Sequence, residues 1–256
     1  MKILLLTGPG GDAQGWGDMK VTESMRQAAE SLGHPARIAY VADEAEFLRL
    51  VDKPDFDIVW SALYHITPNE AFIGRNAEGL WVADVFDERK IPYIGSDSRT
   101  MKAMIDKFRT HEILAAGGVA VPSHVLLHSG DDAAAVTYPA FVKPICESRS
   151  VGISDESVVH DETELRRRVA FIEKEFDEPA LVEEFLPGDE YTALVLGNGK
   201  TREVLPGLVT VEDSHFQNYR ILRSDLRGVG LTRIGLAGAR TDEAKALGDA
   251  AAEAMG

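Results

Sequence analysis

Short apolar runs alternate with amphipathic stretches along the first hundred positions. The run 3–6 ends in the glycine-rich segment 7–11, which indicates a strand followed by a loop. The same alternation predicts three more strands, at 36–41, 56–63 and 91–94. It predicts helices between them, at about 22–32, 44–51 and 79–87. Strands separated by helices at this spacing are typical of parallel βαβ units, so a small doubly wound sheet is expected.

The pattern changes after Gly95 to that of a small α+β region. A helix is predicted at 106–116, and strands are predicted at 124–128, 140–142 and 157–160. Asp161 with Glu164 has the spacing of a capping box and predicts a helix that continues to about Phe176. An antiparallel sheet is the natural arrangement for such a region.

A third region begins near Leu181. The segments 191–196 and 201–209 flank Asn198-Gly199, a pair typical of a type I′ hairpin turn. Pro206 predicts that the second strand lies at a sheet edge, because proline cannot donate a ladder hydrogen bond. A final alanine-rich helix is predicted at 241–255. The domains are therefore expected at 1–96, 97–180 and 181–256.

Composition narrows the classes of function. The 256 residues carry a formal net charge of −15, which repels phosphate backbones and argues against broad binding to nucleic acid or anionic membranes. Cys146 is the one cysteine, so no internal disulfide can form, as expected in a reducing cytoplasm. The apolar run at 3–6 is too short for a signal peptide core or a membrane span.

The segment 141–152 is the most informative for chemistry. A strand delivers Lys143 next to a short polar loop, 148–152, whose small residues offer backbone N–H groups suited to phosphate. Taken alone, a solvated lysine beside a turn explains this segment equally well.

Two further segments carry candidate binding residues. Lys107 lies in the first turn of a helix, where a cation is unfavourable unless an anion is near; taken alone, a surface pairing with Asp106 is the better interpretation. The stretch 181–192 could receive an adenine edge on its backbone, with Phe185 and Leu186 lining the base and Glu190 accepting ribose hydroxyls. An exposed acidic linker is the competing interpretation.

The order of these segments is more specific than any one of them. The sequences IPYIGS (91–96), DKFRT (106–110), GVAVP (118–122), FVKP (141–144), SVG (150–152) and VEEFL (182–186) together resemble D-alanine–D-alanine ligases and their ATP-grasp relatives. The resemblance covers roughly 56–192 well and the flanks weakly.

The resemblance implies an α/β plus α+β chain: an N-terminal doubly wound, Rossmann-like (pre-ATP-grasp) domain followed by an ATP-grasp fold, C-terminally truncated. It implies an ATP-dependent carboxylate–amine ligase that works through an acylphosphate, with ATP and Mg²⁺ as cofactors. A nucleotide-binding module without ligase activity is the alternative. A binding protein independent of nucleotide would leave the two lysines unexplained.

The resemblance also assigns residues. Lys107 and Lys143 hold phosphates, the loop 148–152 closes over them, and Arg149 and Ser150 are the catalytic candidates. The residues assigned to ATP are Lys107, Lys143, Glu147, Ser150, Val151, Glu183, Glu184, Phe185, Leu186 and Glu190.

Several positions depart from the family pattern. Arg149-Ser150 replaces a pair of serines, and Arg149 could reach the γ-phosphate or a substrate carboxylate, or point to solvent. The segment 64–68 replaces a His-Gly turn beside the first-substrate pocket, and Asp12 and Asp18 lie outside the acidic pattern expected in the first loop. The candidate substrate contacts are Tyr64, His65, Arg220 and Arg223, with a structural role the competing interpretation for His65 and a solvated surface for the two arginines.

The family binds two Mg²⁺ ions through an Arg-x-Asp strand and a following Glu-x-Asn pair. The predicted helix at 241–255 resembles the one that precedes those strands, so no metal ligand is assigned within this sequence. Small acids and amines are the expected partners, and a homodimer formed through the N-terminal domain is consistent with the resemblance.

Overall fold

The computed structural model describes residues 1–16, 18–66, 79–132, 134–226 and 230–256. The chain separates into two compact units. The first contains Met1–Ile105 and Cys146–Arg149, and the second contains Asp106–Ile145 and Ser150–Gly256. The three-part division of the sequence, with boundaries at 96 and 180, stays a prediction.

The first unit is built on a parallel sheet. Its described strands are β1 (Ile3–Thr7), β2 (Ala36–Tyr40), β3 (Ile58–Ser61), β4 (His65–Ile66), β5 (Leu80–Trp81) and β6 (Tyr93–Ile94). Its described helices are α1 (Gly11–Gln14), α2 (Met19–Ser31), α3 (Glu44–Asp52), α4 (Val82–Arg89) and α5 (Ser98–Ile105). Among the described residues, the main sheet has the order β2-β1-β3-β6 with parallel pairing throughout, as the sequence predicts. β4 and β5 form a separate antiparallel pair.

The core of this unit explains why its strands read as continuous apolar runs. Leu4, Leu5 and Leu6 are all buried, because a parallel sheet is covered on both faces. Phe47 and Phe86 pack edge to face, with ring centroids 5.8 Å apart. Helix α2 begins at Met19, before the start predicted at about residue 22. Its first turn is capped by the Asp18 side chain, which accepts hydrogen bonds from the N–H groups of residues 20 and 21.

The second unit contains two antiparallel sheets. Its described strands are β7 (His124–Leu127), β8 (Ala140–Pro144), β9 (Val158–Val159), β10 (Ala180–Glu184), β11 (Glu190–Leu196), β12 (Glu203–Thr210) and β13 (Arg233–Leu236). Its described helices are α6 (Lys107–Ala116), α7 (Glu162–Phe176) and α8 (Thr241–Met255). Within the described ranges, the strand orders are β7-β10-β8-β9 and β11-β12-β13. None of the helices in the described parts of the chain is long and apolar enough to cross a membrane.

Helix α7 packs on the first of these sheets. Leu165, Val169 and Ile172 from the helix are buried against Val142 and Val182 from the strands. Its start confirms the capping signal, since the Asp161 side chain accepts from the Glu164 N–H. The Glu164 carboxylate in turn accepts from the N–H of residue 160 instead of that of Asp161. The antiparallel α+β arrangement predicted for this region is therefore confirmed.

Two predictions about the second sheet are wrong. The hairpin β11–β12 is present, but Asn198 is extended (φ −131°), so the turn is not type I′; Gly197 (φ 84°) and Gly199 (φ 54°) supply the positive φ angles. Pro206 is not on an edge strand, because β12 lies between β11 and β13. The pairing with β13 runs from Gly207 to Thr210, one residue beyond the proline, so Pro206 opposes only β11.

Candidate active site

Lys143 and Glu183 lie side by side on neighbouring strands. In the register of β8 and β10, Phe141 opposes Glu183 and Lys143 opposes Leu181, so the two charged residues are diagonal neighbours on one face. Lys143 Nζ lies 2.5 Å from Glu183 Oε1, and the two side chains are only 19% and 11% exposed. Removing one partner of a nearly buried ion pair of this kind strongly destabilises the folded protein. The sheet therefore joins a residue assigned to phosphate with one assigned to adenine.

Lys107 is anchored near the same strand. It is the first residue of α6, whose N-cap Asp106 accepts a hydrogen bond from the Arg109 N–H at 2.9 Å. Both the backbone N–H and the Nζ of Lys107 donate to the carbonyl of Ile145, each at 3.1 Å. Ile145 follows the end of β8, two residues after Lys143. The structure thus brings the Lys107 ammonium to the end of this strand.

The loop 148–152 has an unusual backbone. Arg149 (φ 54°) and Ser150 (φ 60°) are consecutive non-glycine residues in the left-handed region, and Gly152 (φ 74°) follows them. Such conformations are sparsely populated for residues with a side chain and are concentrated at ligand-binding segments. Glu147 is buried just before the loop, and Val151 is exposed within it.

The far end of the loop is fixed by the second unit's core. Arg168 of α7 donates to the Gly152 carbonyl and to the Ser157 hydroxyl, the latter at 3.0 Å. A side chain at position 152 would bring its Cβ within 2.7 Å of the Pro144 ring. Glycine is thus required at this position both by the backbone angle and by the close approach of β8.

Arg149 contacts Asp12, which lies in α1 of the same unit. Its guanidinium donates both to the Asp12 carboxylate and to the Asp12 backbone carbonyl. Arg149 is therefore paired with Asp12, although its side chain is 36% exposed. Asp12, which lies outside the family pattern, is thus paired with Arg149 within the first unit, a pairing that the sequence did not reveal.

The residues assigned to adenine follow β10. The Phe185 N–H donates to the Pro139 carbonyl at 3.2 Å, and its ring stacks on Phe141 with centroids 6.3 Å apart. Leu186 is 64% exposed, and Glu184 and Glu190 are also exposed. By contrast, Glu183 Oε2 is buried and has no hydrogen-bond partner among the described residues. The exposed-linker interpretation therefore fails for Glu183.

Tyr219 is a site neighbour that the sequence analysis missed. Its ring meets Phe185 edge to face at 5.8 Å, and its hydroxyl lies 2.5 Å from His160 Nε2. The adjacent Asn218 N–H donates to the Asp155 carboxylate at 2.7 Å. The segment after β12 is thus held against the first antiparallel sheet beside Phe185. It has no periodic pattern from which this position could have been predicted.

The two arginines of this segment differ. Arg220 forms an ion pair with Asp213 at 3.0 Å and is 58% exposed, in agreement with a solvated residue. Arg223 is buried, so the solvated-surface interpretation is wrong for it. Its guanidinium holds Asp225 at 3.0 and 3.1 Å and the carbonyl of His215 at 3.1 Å. These donors are used within the segment.

Tyr64 and His65 are clamped by Gln14. The Gln14 Oε1 accepts from both backbone N–H groups at 2.7 and 3.0 Å, and its Nε2 donates to the His65 carbonyl at 3.1 Å. His65 is fully buried, edge-on to Trp81, and neither ring nitrogen finds a hydrogen-bond partner in the described structure. Burial lowers the pKa of His65 to about 4 and raises the pKa of Tyr64 above its usual value. Residues 67 and 68 of this segment lie outside the described residues.

Within the described residues, no group of three or more His, Cys, Asp or Glu side chains is placed to hold a metal ion. The site assembled above is therefore one of ammonium groups, backbone donors and a buried carboxylate.

Comparison with known proteins finds relatives by sequence and by fold. The family model described as the D-ala D-ala ligase C-terminus matches residues 125–253. A D-alanine–D-alanine ligase of Halalkalibacterium halodurans is 31% identical over 227 residues, covering 86% of this chain and 68% of that protein. One of Marinobacter nauticus is 30% identical over 186 residues, covering 70% of this chain and 52% of that protein.

A solved structure of the same kind shares the fold. The D-alanine–D-alanine ligase of Bacillus anthracis, determined in complex with ATP, superposes with a TM-score of 0.67 at 17% identity. It matches 100% of this chain, which covers 78% of that structure. Across the first three curated relatives, the chain spans only 38% to 60% of their length, or about half.

Proposed function

The chain belongs to the D-Ala–D-Ala ligase family of ATP-grasp proteins, and on that premise we propose that it acts as an ATP-dependent carboxylate–amine ligase. The bond formed is of the peptide type, between amino acids or similar small molecules. The observation that carries the proposal is the pairing of Lys143 with Glu183, which sets a phosphate-binding cation beside a buried carboxylate.

ATP supplies the phosphoryl group that activates the substrate carboxylate. Lys143 and Lys107 hold its phosphate oxygens as compact positive charges, and the N–H groups of the loop 148–152 add neutral donors. Glu183 is assigned to the adenine amino group, from which its carboxylate would accept a hydrogen bond. The backbone near Leu186 completes the base contacts, and Glu190 accepts from the ribose.

The chain's other residues position the reaction and shield it from water. A substrate carboxylate oxygen attacks the terminal phosphorus of ATP and displaces ADP. The amine then attacks the acyl carbon, expels inorganic phosphate and gives up a proton. The loop 148–152 excludes water, which would otherwise hydrolyse the activated acid. Arg149 and Ser150 stand at this loop, where a guanidinium can bind a phosphate or a carboxylate through two hydrogen bonds.

His65 and Tyr64 are assigned to the first-substrate side. The His65 ring is neutral at pH 7, so it offers one donor and one acceptor nitrogen to a substrate group. Neither ring nitrogen has a hydrogen-bond partner in the described residues, which supports this role over a purely structural one, because a structural buried histidine is normally hydrogen-bonded. The Gln14 clamp fixes the backbone that presents the ring.

Mg²⁺ is the ion expected to accompany the ATP phosphates, since it is commonly held by one or two carboxylates together with phosphate oxygens, and no protein ligand is assigned to it among the described residues. No step is therefore assigned to a metal ion. We further propose a cytoplasmic protein, because a chain with one cysteine needs no oxidising compartment, and a homodimer of the kind the family forms.

Binding is tested by calorimetry with a non-hydrolysable ATP analogue. We expect the chain to bind it and Lys143→Ala to lose at least tenfold in affinity. The matched control is Lys174→Ala, because Lys174 is an 82% exposed lysine of the same unit that forms an ion pair with Glu175 at 3.4 Å. Equal affinities for the two variants would contradict the assigned phosphate site.

Turnover is tested by phosphate release with ATP, Mg²⁺ and pairs of amino acids. Release that requires both an acid and an amine supports the ligase. Binding without release for any pair would indicate a nucleotide-binding module instead. In an active protein, Lys143→Ala should lower kcat/KM far more than Arg149→Ala; comparable losses would make Arg149 a catalytic group.

A further inference from the structure

His111 is a partly buried histidine beside the Lys143–Glu183 pair, and the proposed chemistry does not use it. It lies on α6, one helical turn after Lys107, and its Nε2 is 3.6 Å from Glu183 Oε2. Its side chain is 14% exposed. The ring stacks on His124 of β7 at a centroid distance of 4.7 Å. His124 is itself held by the Pro122 carbonyl at 2.9 Å and the Glu112 carboxylate at 3.2 Å.

The two oxygens of Glu183 have different surroundings. Oε1 is occupied by Lys143, whereas Oε2 faces His111 and has no hydrogen bond in the described structure. The Nδ1 of His111 is likewise buried without a hydrogen-bond partner among the described residues. Glu183 is therefore neutralised by Lys143 in this state, while His111 is within reach of the other oxygen.

A nucleotide at this site would change that balance. If the Lys143 ammonium also binds a phosphate oxygen, it neutralises the Glu183 carboxylate less completely. A carboxylate that is mostly buried is costly to leave without a counter-charge. Resting on the proposed nucleotide function, we propose that His111 is a positioning residue: it takes up a proton when a phosphate engages Lys143 and then supplies the counter-charge that holds Glu183.

The groups that face His111 give the direction of this coupling. Burial lowers the pKa of His111, Glu183 on β10 raises it, and Lys143 on β8 and His124 on β7 lower it. On its own helix, the backbone of Lys107 raises it. Without ligand, the ring therefore favours its neutral form. A phosphate on Lys143 adds negative charge and offsets the lysine, and both changes raise the pKa of His111.

The coupling itself is tested without nucleotide, by following the histidine ring protons in NMR titrations. We expect Lys143→Met to raise the pKa of His111 and Glu183→Gln to lower it. His128, exposed just after β7, is the internal control and should not move. If Lys143→Met fails to fold, Lys143→Gln keeps a donor for Glu183 and serves for the same measurement. An unchanged His111 pKa in both charge variants would overturn the proposal.

The nucleotide arm uses calorimetry with ADP at pH 7 in two buffers of different ionisation enthalpy. We expect a net proton uptake of up to one per bound ADP, lost in His111→Gln together with a several-fold weaker affinity. ADP binding with no proton uptake would sink the role of His111 alone. Absence of binding by the unmodified chain would sink the nucleotide function, and with it this role, even where the NMR titrations show the coupling.

Discussion

The molecule buries polar groups in two contrasting ways. In the first unit, His65 is fully buried, and in the described residues its ring nitrogens have no hydrogen-bond partner; burial keeps the ring neutral. In the second unit, Lys143 and Glu183 are nearly buried as charges, and each neutralises the other. One site avoids charge, and the other depends on keeping two charges together.

This difference determines how each site should respond to change. An apolar side chain of similar size can replace a neutral, unpartnered ring at little cost in stability, because no partner is left behind. Removing one member of a buried ion pair leaves the other charged and desolvated. The first site is therefore expected to be sensitive to pH, and the second to truncation.

Truncation of Glu183 should have the largest effect. Glu183→Ala leaves the Lys143 ammonium without its partner, and we expect a loss of about 3–5 kcal/mol in the free energy of unfolding. The double variant Lys143→Met/Glu183→Leu should recover most of that loss, because both charges are gone. Urea unfolding followed by far-UV circular dichroism measures both. Glu175→Ala, at an exposed residue paired with Lys174, is the control and should change little.

The outcome of the double variant decides the comparison. If it is as unstable as Glu183→Ala, the loss comes from packing at position 183, and the contrast between the two sites disappears.

Acid should destabilise the first unit through His65. The pKa in the folded protein is about 4, below the usual value of 6.5. The stabilising contribution of the neutral ring is therefore present above about pH 6.5 and is lost as the pH falls toward 4, by on the order of 3 kcal/mol. His65→Phe should remove this part of the pH dependence and keep the stability measured at pH 8. All three tryptophans, at 16, 60 and 81, lie in this unit, so their fluorescence reports its unfolding in urea. Parallel pH profiles for the two proteins would contradict a neutral, buried His65.

Strands and helix starts that have a local sequence pattern were predicted correctly. Four parallel strands and the antiparallel sheet around Lys143 followed from apolar periodicity and turn residues, and the α7 start followed from Asp161 and Glu164. The strand β4 was missed. The strand β5 lies in the segment 79–87, which was predicted as a helix, whereas the helix α4 begins only at Val82. The edge-strand prediction from Pro206 was wrong because the pairing of β13 with β12 begins at Gly207, so the proline lies in a central strand without facing β13.

The site was predicted less completely, for a similar reason. Lys143 and Glu183 were assigned from neighbouring residues, but their contact joins positions 40 residues apart. Asp12 and Arg149 are separated by 137 residues, and Gln14 and Tyr64 by 50. Only the folded chain defines such pairs. His111 could have been noticed one helical turn after Lys107, on the same face of α6, although nothing in the sequence placed Glu183 beside it.

Gly152→Ala tests whether the loop beside β8 tolerates a side chain. The new Cβ would lie 2.7 Å from Pro144 Cγ and 3.0 Å from the Phe176 ring, so we expect a loss of about 1–3 kcal/mol in unfolding free energy. Gly199→Ala is the matched control, because Gly199 also has a positive φ (54°) but no described atom within 4 Å of the added Cβ. The difference between the two, measured by urea unfolding, isolates the overlap with β8. Equal losses would mean that backbone strain alone matters at position 152.

The smallest effect is expected at the Asp12–Arg149 pair. The two side chains are 68% and 36% exposed, so water screens their attraction, and Arg149→Ala should change the unfolding free energy by less than about 1 kcal/mol. A double-mutant cycle with Asp12→Ala measures the coupling, again by urea unfolding. A coupling well above that value would show that this exposed pair holds the loop as the buried pair holds its sheet. The left-handed backbone at 149 and 150 would then be held by a contact from outside the loop. Exposure alone would no longer predict which ion pair stabilises the protein.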